Sequence, residues 1–127
     1  MGEQSIAPRA GLPARISPAA HAVLDYTVAA TFFSVGFRLM RRHRAAASLA
    51  FANGAMVAAM SMLTDYPGGV VRVLPFRGHR TGDMLQAAFA GFGPALFGFA
   101  AHEDAKLFYA QAASEVGVIA ATDWDAA

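Results

Sequence analysis

Cysteine is absent from the 127-residue sequence. This absence excludes disulfide bonds, zinc sites built on thiolates, iron–sulfur clusters and haem attached covalently in the manner of c-type cytochromes. It leaves imidazole nitrogens and carboxylate oxygens as the ligand atoms from which a metal site in this chain would be built.

Charged residues are scarce: they make up 15% of the sequence, against 56% hydrophobic residues, and the formal net charge is +1. A protein that binds nucleic acid ordinarily presents a dominant basic face, whereas the arginines here are divided among several connecting segments. We therefore expect no nucleic-acid partner. The hydrophobic content exceeds what a soluble domain of this length needs, so the composition favours an integral membrane protein.

Four apolar segments fill most of the chain. The first has no charged residue between Asp25 and Arg38, and the second has none between Arg44 and Asp65. Neither segment therefore shows the broad polar face of a helix on a soluble protein. The third contains Pro94, where a kink is expected. We predict an all-α fold in which four transmembrane helices form a bundle. A soluble helical bundle is the alternative. The predicted helices cover residues 19–40, 45–63, 82–101 and 104–122.

The predicted domain organisation is a surface tail at residues 1–18 followed by a four-helix membrane domain at residues 19–127. Ser17 and Pro18 would start the first helix, with a hydroxyl at the cap and proline at the first helical position. In the second and fourth segments small residues recur at every fourth position, which lets a neighbouring helix approach closely. These stripes are Ala50, Gly54 and Ala58, and Ala113, Gly117 and Ala121.

Two polar motifs each occur twice at an offset of 58 residues. His-x-x-x-Asp occurs at residues 21–25 and 79–83, and Thr-Asp-aromatic occurs at residues 64–66 and 122–124. In each half the first motif opens one helix and the second closes the next. This internal repeat predicts two tandem helical hairpins whose motifs lie near one membrane face. The predicted halves are residues 15–67 and 73–125.

The duplicated motifs predict a metal site. A histidine and an aspartate four residues apart lie on the same face of a helix, so two such pairs can converge on one ion. Imidazole and carboxylate together suit a divalent metal such as zinc, manganese or iron. The six candidate ligands are His21, Asp25, Asp65, His79, Asp83 and Asp123.

A structural network of ion pairs is the alternative for the same residues. Asp25 and Asp83 would complement the dipole at a helix N-terminus without any ligand. Asp65 and Asp123 would lie at helix C-termini, where an anion is disfavoured, so each is expected to have a partner, either an arginine or a metal. A haem between two histidines is disfavoured because two of the chain's 4 histidines lie in loops.

Glu115 is predicted to lie near the middle of the fourth helix, one turn after Gln111. A carboxylate at that depth should face the bundle interior, a polar cavity or an oligomer interface. We expect Tyr26, Tyr66 and Trp124 to anchor the protein at the membrane surface. The arginine cluster after the first helix favours a topology in which both termini lie outside the cell. The membrane would be the cytoplasmic membrane if the source is bacterial.

The sequence leaves three classes of function open. A metal-dependent membrane enzyme would use a bound water, and a small transporter of cations or protons would use Glu115. A structural or accessory subunit would use the small-residue stripes to pack in a homo-oligomer or a larger membrane complex.

Overall fold

The computed structural model describes residues 15–126. It contains four α-helices, which confirms the predicted all-helical fold. The helices are α1 (Pro18–Leu39), α2 (Arg44–Leu63), α3 (Phe76–Leu96) and α4 (Ala105–Ala121). Most of the predicted tail at residues 1–18 lies outside the described residues.

The start of α1 matches its prediction, because the Ser17 hydroxyl accepts the N–H of Ala20 at 3.1 Å and Pro18 occupies the first helical position. The bounds of α3 differ from the predicted 82–101. The helix begins directly after Pro75 and takes in a polar first turn that apolar patterning assigned to the connector. It ends soon after Pro94 because Gly98 adopts a left-handed conformation, with φ 80°, that closes the helix.

The four helices alternate in direction. The N-termini of α1 and α3 lie beside the C-termini of α2 and α4 at one end of the bundle, which we call the connector end because it carries residues 64–75. Contacts such as His21 to Thr122 and His79 to Thr64 define it. The opposite end, called the loop end, holds the short connections at residues 40–43 and 97–104.

Helices α1 and α2 pack against each other, α3 and α4 do the same, and the two hairpins meet mainly through α2 and α3. The predicted small-residue stripe of α2 lies at its contact with α1: a methyl group on Gly54 would come within 3.3 Å of the Phe32 Cβ. The corresponding stripe of α4 is different. Nothing within 4 Å would meet a methyl group on Gly117, so that surface has no helix packed on it among residues 15–126.

Two short backbone bridges close the connector end. Ile16 pairs with Thr122, and Thr64 pairs with Leu74, both in parallel orientation. Asp123 donates its N–H to the Ile16 carbonyl at 2.9 Å, and Asp65 donates to the Leu74 carbonyl at 2.7 Å. The two bridges involve positions that are offset by 58 residues, the same offset that relates the polar motifs.

Two of the helices, α1 and α2, are long and apolar enough to cross a membrane. Buried core helices of soluble proteins can have the same length and composition. Here, however, only 33% of the most apolar window of α1 and 44% of that of α2 are buried within the structure. Helix α3 carries arginines and an aspartate in its first turns, and α4 has only 17 residues.

Candidate metal centre

A group of four buried side chains occupies the connector end. His21 and Asp25 lie one turn apart on α1, and His79 and Asp83 lie one turn apart on α3. Each side chain offers one ligand atom to a set in which all atoms lie within 4.8 Å of one another. Both histidines are 0% exposed, and the aspartates are 4% and 3% exposed. This group contains four of the six candidate ligands that the sequence indicated.

Each imidazole contacts the carboxylates of both helices. His21 Nε2 lies 2.9 Å from Asp83 Oδ2 and 3.4 Å from Asp25 Oδ1. His79 Nε2 lies 3.0 Å from Asp25 Oδ2 and 3.0 Å from Asp83 Oδ1. Every His–Asp combination is therefore represented, and the group joins α1 of one hairpin to α3 of the other.

Two threonine hydroxyls determine the orientation and tautomer of these rings. Thr122 Oγ1 donates its single proton to the Val118 carbonyl at 2.6 Å and lies 2.8 Å from His21 Nδ1. Because that proton is already used, Nδ1 must be the donor and Thr122 the acceptor. Thr64 does the same for His79: its hydroxyl donates to the carbonyl of the residue four positions earlier and accepts from Nδ1 at 2.6 Å.

With both Nδ1 atoms protonated, the Nε2 atoms point at the carboxylates with either a lone pair or a second proton. A lone pair facing an anionic oxygen at 3.0 Å is repulsive, so either a second ring proton or a metal ion lies between each nitrogen and the carboxylates. His79 Nε2 lies 3.0 Å from one oxygen of each aspartate, but neither contact is a well-aligned hydrogen bond. This buried nitrogen points between the two carboxylates.

Aromatic rings cover the group on its outer side. Tyr66, Phe76 and Trp124 lie with ring centroids 5.0 to 6.5 Å from one or both imidazoles. Tyr66 is 3% exposed and donates its hydroxyl to Asp25 Oδ2 at 2.8 Å. Burial raises the pKa of Tyr66 well above its ordinary value, so the hydroxyl remains a donor. Tyr66 is therefore part of the buried site and does not have the predicted role of a surface anchor.

The structure places the side chains of Asp65 and Asp123 outside this group. Asp65 is exposed, and Asp123 lies 3.7 Å from Arg15. The residues directly before them, Thr64 and Thr122, are extended, with ψ of 140° and 137°. Successive side chains alternate in direction in extended backbone, so each threonine faces the histidine and each aspartate faces away. The motif contributes to the site through its threonine, which the sequence argument did not consider.

A second set of buried polar side chains lies deeper in the bundle. Gln86 donates its amide to Asn53 Oδ1 at 2.9 Å and to Gln111 Oε1 at 3.1 Å. Glu115 is 4% exposed, and its Oε1 has no hydrogen-bond partner among the described residues. Glu115 thus faces the interior, as predicted. The sequence argument missed Gln86 and Asn53, although Asn53 precedes Gln111 by the repeat offset of 58 residues.

The remaining two histidines meet at the loop end. His43 Nδ1 donates a hydrogen bond to Asp104 Oδ2 at 2.7 Å, and the His43 ring centroid lies 4.4 Å from that of His102. The hydrogen bond from His43 lowers the pKa of the Asp104 carboxyl below its ordinary value. This partly exposed contact between His43 and Asp104 joins the N-terminus of α2 to that of α4. A structural role of this kind explains why these side chains meet.

Comparison with protein-family models, with curated proteins and with solved structures found no match to this chain.

Proposed function

We propose that this chain is a four-helix membrane protein that binds one divalent metal ion between its two helical hairpins. The four ligands are His21, Asp25, His79 and Asp83, and zinc is the metal that this set suits best. The ion holds α1 against α3, so its main effect is on the stability and the relative position of the hairpins. The paired contacts at an offset of 58 residues support the interpretation of two tandem hairpins.

The observation that carries this proposal is the pair of threonine contacts that orients the two histidines. Thr64 and Thr122 each accept an Nδ1–H, which leaves both Nε2 atoms directed at the carboxylates. Two neutral imidazoles and two aspartates together have a charge of −2, which one divalent cation neutralises. The buried His79 Nε2 atom, which lies 3.0 Å from an oxygen of each aspartate, is then a metal ligand.

The four side chains lie close enough to converge on one ion. Bonds of about 2.0 Å from zinc to nitrogen or oxygen place neighbouring ligand atoms roughly 3.3 Å apart. The four His–Asp contacts of 2.9 to 3.4 Å involve both oxygens of each aspartate, and one ligand atom from each residue forms a set within 4.8 Å. Binding of zinc would therefore draw these atoms closer together. Four protein ligands complete a tetrahedral shell, and the aromatic cover excludes water. Closed sites of this kind are structural, whereas catalytic zinc keeps an open position.

Metal analysis of the full-length protein tests the proposal. We expect about one zinc per chain in the purified wild type and little in a His21→Ala/His79→Ala variant. Asp83→Asn should also lose metal, whereas the matched variant Asp123→Asn should retain it. At 100 times the dissociation constant, bound metal adds about 2.7 kcal/mol to the free energy of unfolding, so a chelator should lower the melting temperature of the wild type clearly.

The competing explanation is a second proton on each histidine, which would make a neutral quartet of two imidazolium ions and two carboxylates. In that case no metal would co-purify, and divalent metal and chelator would leave the melting temperature of the wild type unchanged. That result would exclude the metal site.

Exposed apolar side chains on all four helices support the membrane part of the proposal. Phe37 of α1 is 66% exposed, Leu96 of α3 is 73% exposed and Val116 of α4 is 60% exposed, while Met62 of α2 is 45% exposed. A soluble monomer rarely presents apolar surface on every side. A bilayer would cover these side chains, including those on α3 and α4.

Cysteine labelling tests the topology, because the native chain has no cysteine. Gly69→Cys lies on the connector and Arg42→Cys on the connection between α1 and α2. An impermeant reagent added to one side of sealed membranes should label one variant and spare the other. Labelling of both from the same side would contradict four membrane crossings.

A cation- or proton-coupled role is the second candidate function, and it depends on Glu115. The motivating observation is the buried Oε1 atom without a hydrogen bond. Flux of protons or cations measured in proteoliposomes should fall in Glu115→Gln if this role exists. Equal flux in the variant, the wild type and empty liposomes would remove it, and this outcome leaves the metal proposal unaffected.

A further inference from the structure

A basic pocket opens at the connector end, beside the candidate metal centre. It has a volume of about 390 Å³, and its lining includes Arg15, Arg77, Arg80 and Trp124. Three guanidinium groups from the start of the described chain and the first turns of α3 therefore face one cavity. Planar guanidinium groups match the oxygens of a phosphate closely and are the usual residues for its recognition.

The positive charge of this pocket is only partly neutralised. Arg77 lies 2.6 Å from Asp125, but both side chains are largely exposed, so this pair is weak and exchangeable. Arg15 lies 3.7 Å from Asp123. Arg80 forms no ion pair with any residue from 15 to 126. Three arginines thus face two carboxylates, and the excess charge favours an anion.

An apolar groove lies next to this pocket on the outer surface of α3 and α4. Its volume is about 510 Å³, and its lining includes Met84 and Phe92 of α3 and Ala113 and Val116 of α4. Arg80 lines both cavities, so they share a wall at the headgroup level of the predicted membrane. From Arg80 to Phe92 the groove extends about 18 Å along α3. This length is close to one leaflet of a bilayer, about 15 Å.

We propose that the pocket and the groove together bind one anionic phospholipid. The phosphate contacts the three arginines, and an acyl chain lies between α3 and α4 beside the exposed small residues of α4. Charge complementarity selects the headgroup, and the position of the apolar groove beside the basic pocket, with Arg80 lining both, favours a lipid over a free anion. The pocket and the metal centre are neighbours, since Thr122 and Trp124 line the pocket and also contact His21. The arginines are not proposed metal ligands, so variants of the arginines test the lipid site separately.

Native mass spectrometry of the full chain in detergent can count bound lipids, and the emission of Trp124, the single tryptophan, reports occupancy. The probes are phosphatidylglycerol, phosphatidylcholine and inorganic phosphate. We expect saturable binding of one phosphatidylglycerol and much weaker binding of the other two. Loss of one arginine near a phosphate lowers affinity about fivefold, so Arg80→Gln should do so. Arg72→Gln, an exposed arginine outside the pocket, is the matched control and should have no effect.

A second variant tests the groove. Ala113→Leu places extra side-chain volume in the groove and should weaken binding of phosphatidylglycerol, while Ala59→Leu on the exposed surface of α2 should not. Circular dichroism establishes that each variant is folded. Equal binding of phosphatidylcholine would overturn the role of the arginines. Inorganic phosphate binding as tightly as phosphatidylglycerol would overturn the lipid and leave an anion site only.

Discussion

Thr64→Val is the variant that tests the metal centre most directly. Valine has nearly the shape of threonine but no hydroxyl, so the change removes the acceptor of the His79 Nδ1–H and leaves the packing intact. In the wild type this hydrogen bond measures 2.6 Å and is buried. Leaving a buried donor without an acceptor costs about 1–3 kcal/mol. The free energy of unfolding should fall by that amount even without metal.

Metal affinity should fall as well, because the threonine orients the imidazole and fixes its tautomer. Loss of a hydrogen-bond partner behind a ligating histidine typically weakens metal binding 10- to 100-fold. At 1.4 kcal/mol per factor of ten, this corresponds to about 1.4–2.8 kcal/mol. Thr122→Val should have an effect of similar size through His21, since it makes the equivalent contact at 2.8 Å. Zinc affinity can be measured by competition with a chromophoric chelator.

Two further variants complete the design. Thr64→Ser keeps the hydroxyl and should restore most of the affinity. Thr31→Val removes an exposed hydroxyl of α1 that donates only to the Thr27 carbonyl, at 2.8 Å, and should leave zinc affinity unchanged. If Thr64→Val binds zinc within twofold of the wild type, the assignment of the His79 tautomer is wrong. The proposal would then lose the observation on which it depends.

Two other predictions concern the surroundings of the site. A methyl group at Gly69 would overlap the Thr64 carbonyl oxygen. Gly69→Ala should therefore lower the free energy of unfolding, measured by chemical denaturation, by about 1–3 kcal/mol. Gly117→Ala is the control and should not destabilise the protein, because nothing lies within 4 Å of the added methyl group. At the loop end, the pKa of Asp104 is lower in the folded protein than in the unfolded chain. The Asp104 carboxylate therefore contributes to stability above its ordinary pKa of 3.8, and this contribution is lost as the pH falls below that value. The melting temperatures of the wild type and Asp104→Asn should therefore differ at pH 7 and converge near pH 2; a difference that persists at low pH would contradict this account.

The convergence of the two His-x-x-x-Asp motifs was predictable from the sequence. Each motif places its two polar residues on one face of a helix, and both helices start at the same end of an antiparallel bundle. Burying four ionisable groups is costly unless they neutralise one another or a bound ion, so two such faces in an apolar chain come together.

The assignment of ligands at the helix C-termini required the backbone conformation. A Thr-Asp-aromatic motif at a helix end can direct any of its residues inward, and spacing alone does not distinguish them. In the structure the helices end at Leu63 and Ala121, and the next residues are extended. Thr64 and Thr122 therefore face inward. One residue of difference in the helix end would have turned the aspartates toward the histidines instead.

The polar contacts deeper in the bundle were also beyond the sequence. Gln86 and Asn53 are single amides in apolar helices, and their pairing depends on the rotation of α2 relative to α3. A single amide on a helix has no pattern from which that rotation follows. Glu115 was identifiable because a carboxylate far from either end of an apolar helix is expected to face inward.

The two backbone bridges bring the beginning and the end of the described chain side by side, since Ile16 pairs with Thr122 in the way that Leu74 pairs with Thr64. The order in which the hairpins are joined is therefore immaterial to the contacts they make. A circularly permuted chain, opened within the connector at residues 68–72 and rejoined by a short linker between residues 15 and 126, would retain both bridges and all four proposed ligands. By the same reasoning, the bridges and the His/Asp group would bring two separate hairpin peptides into the same arrangement.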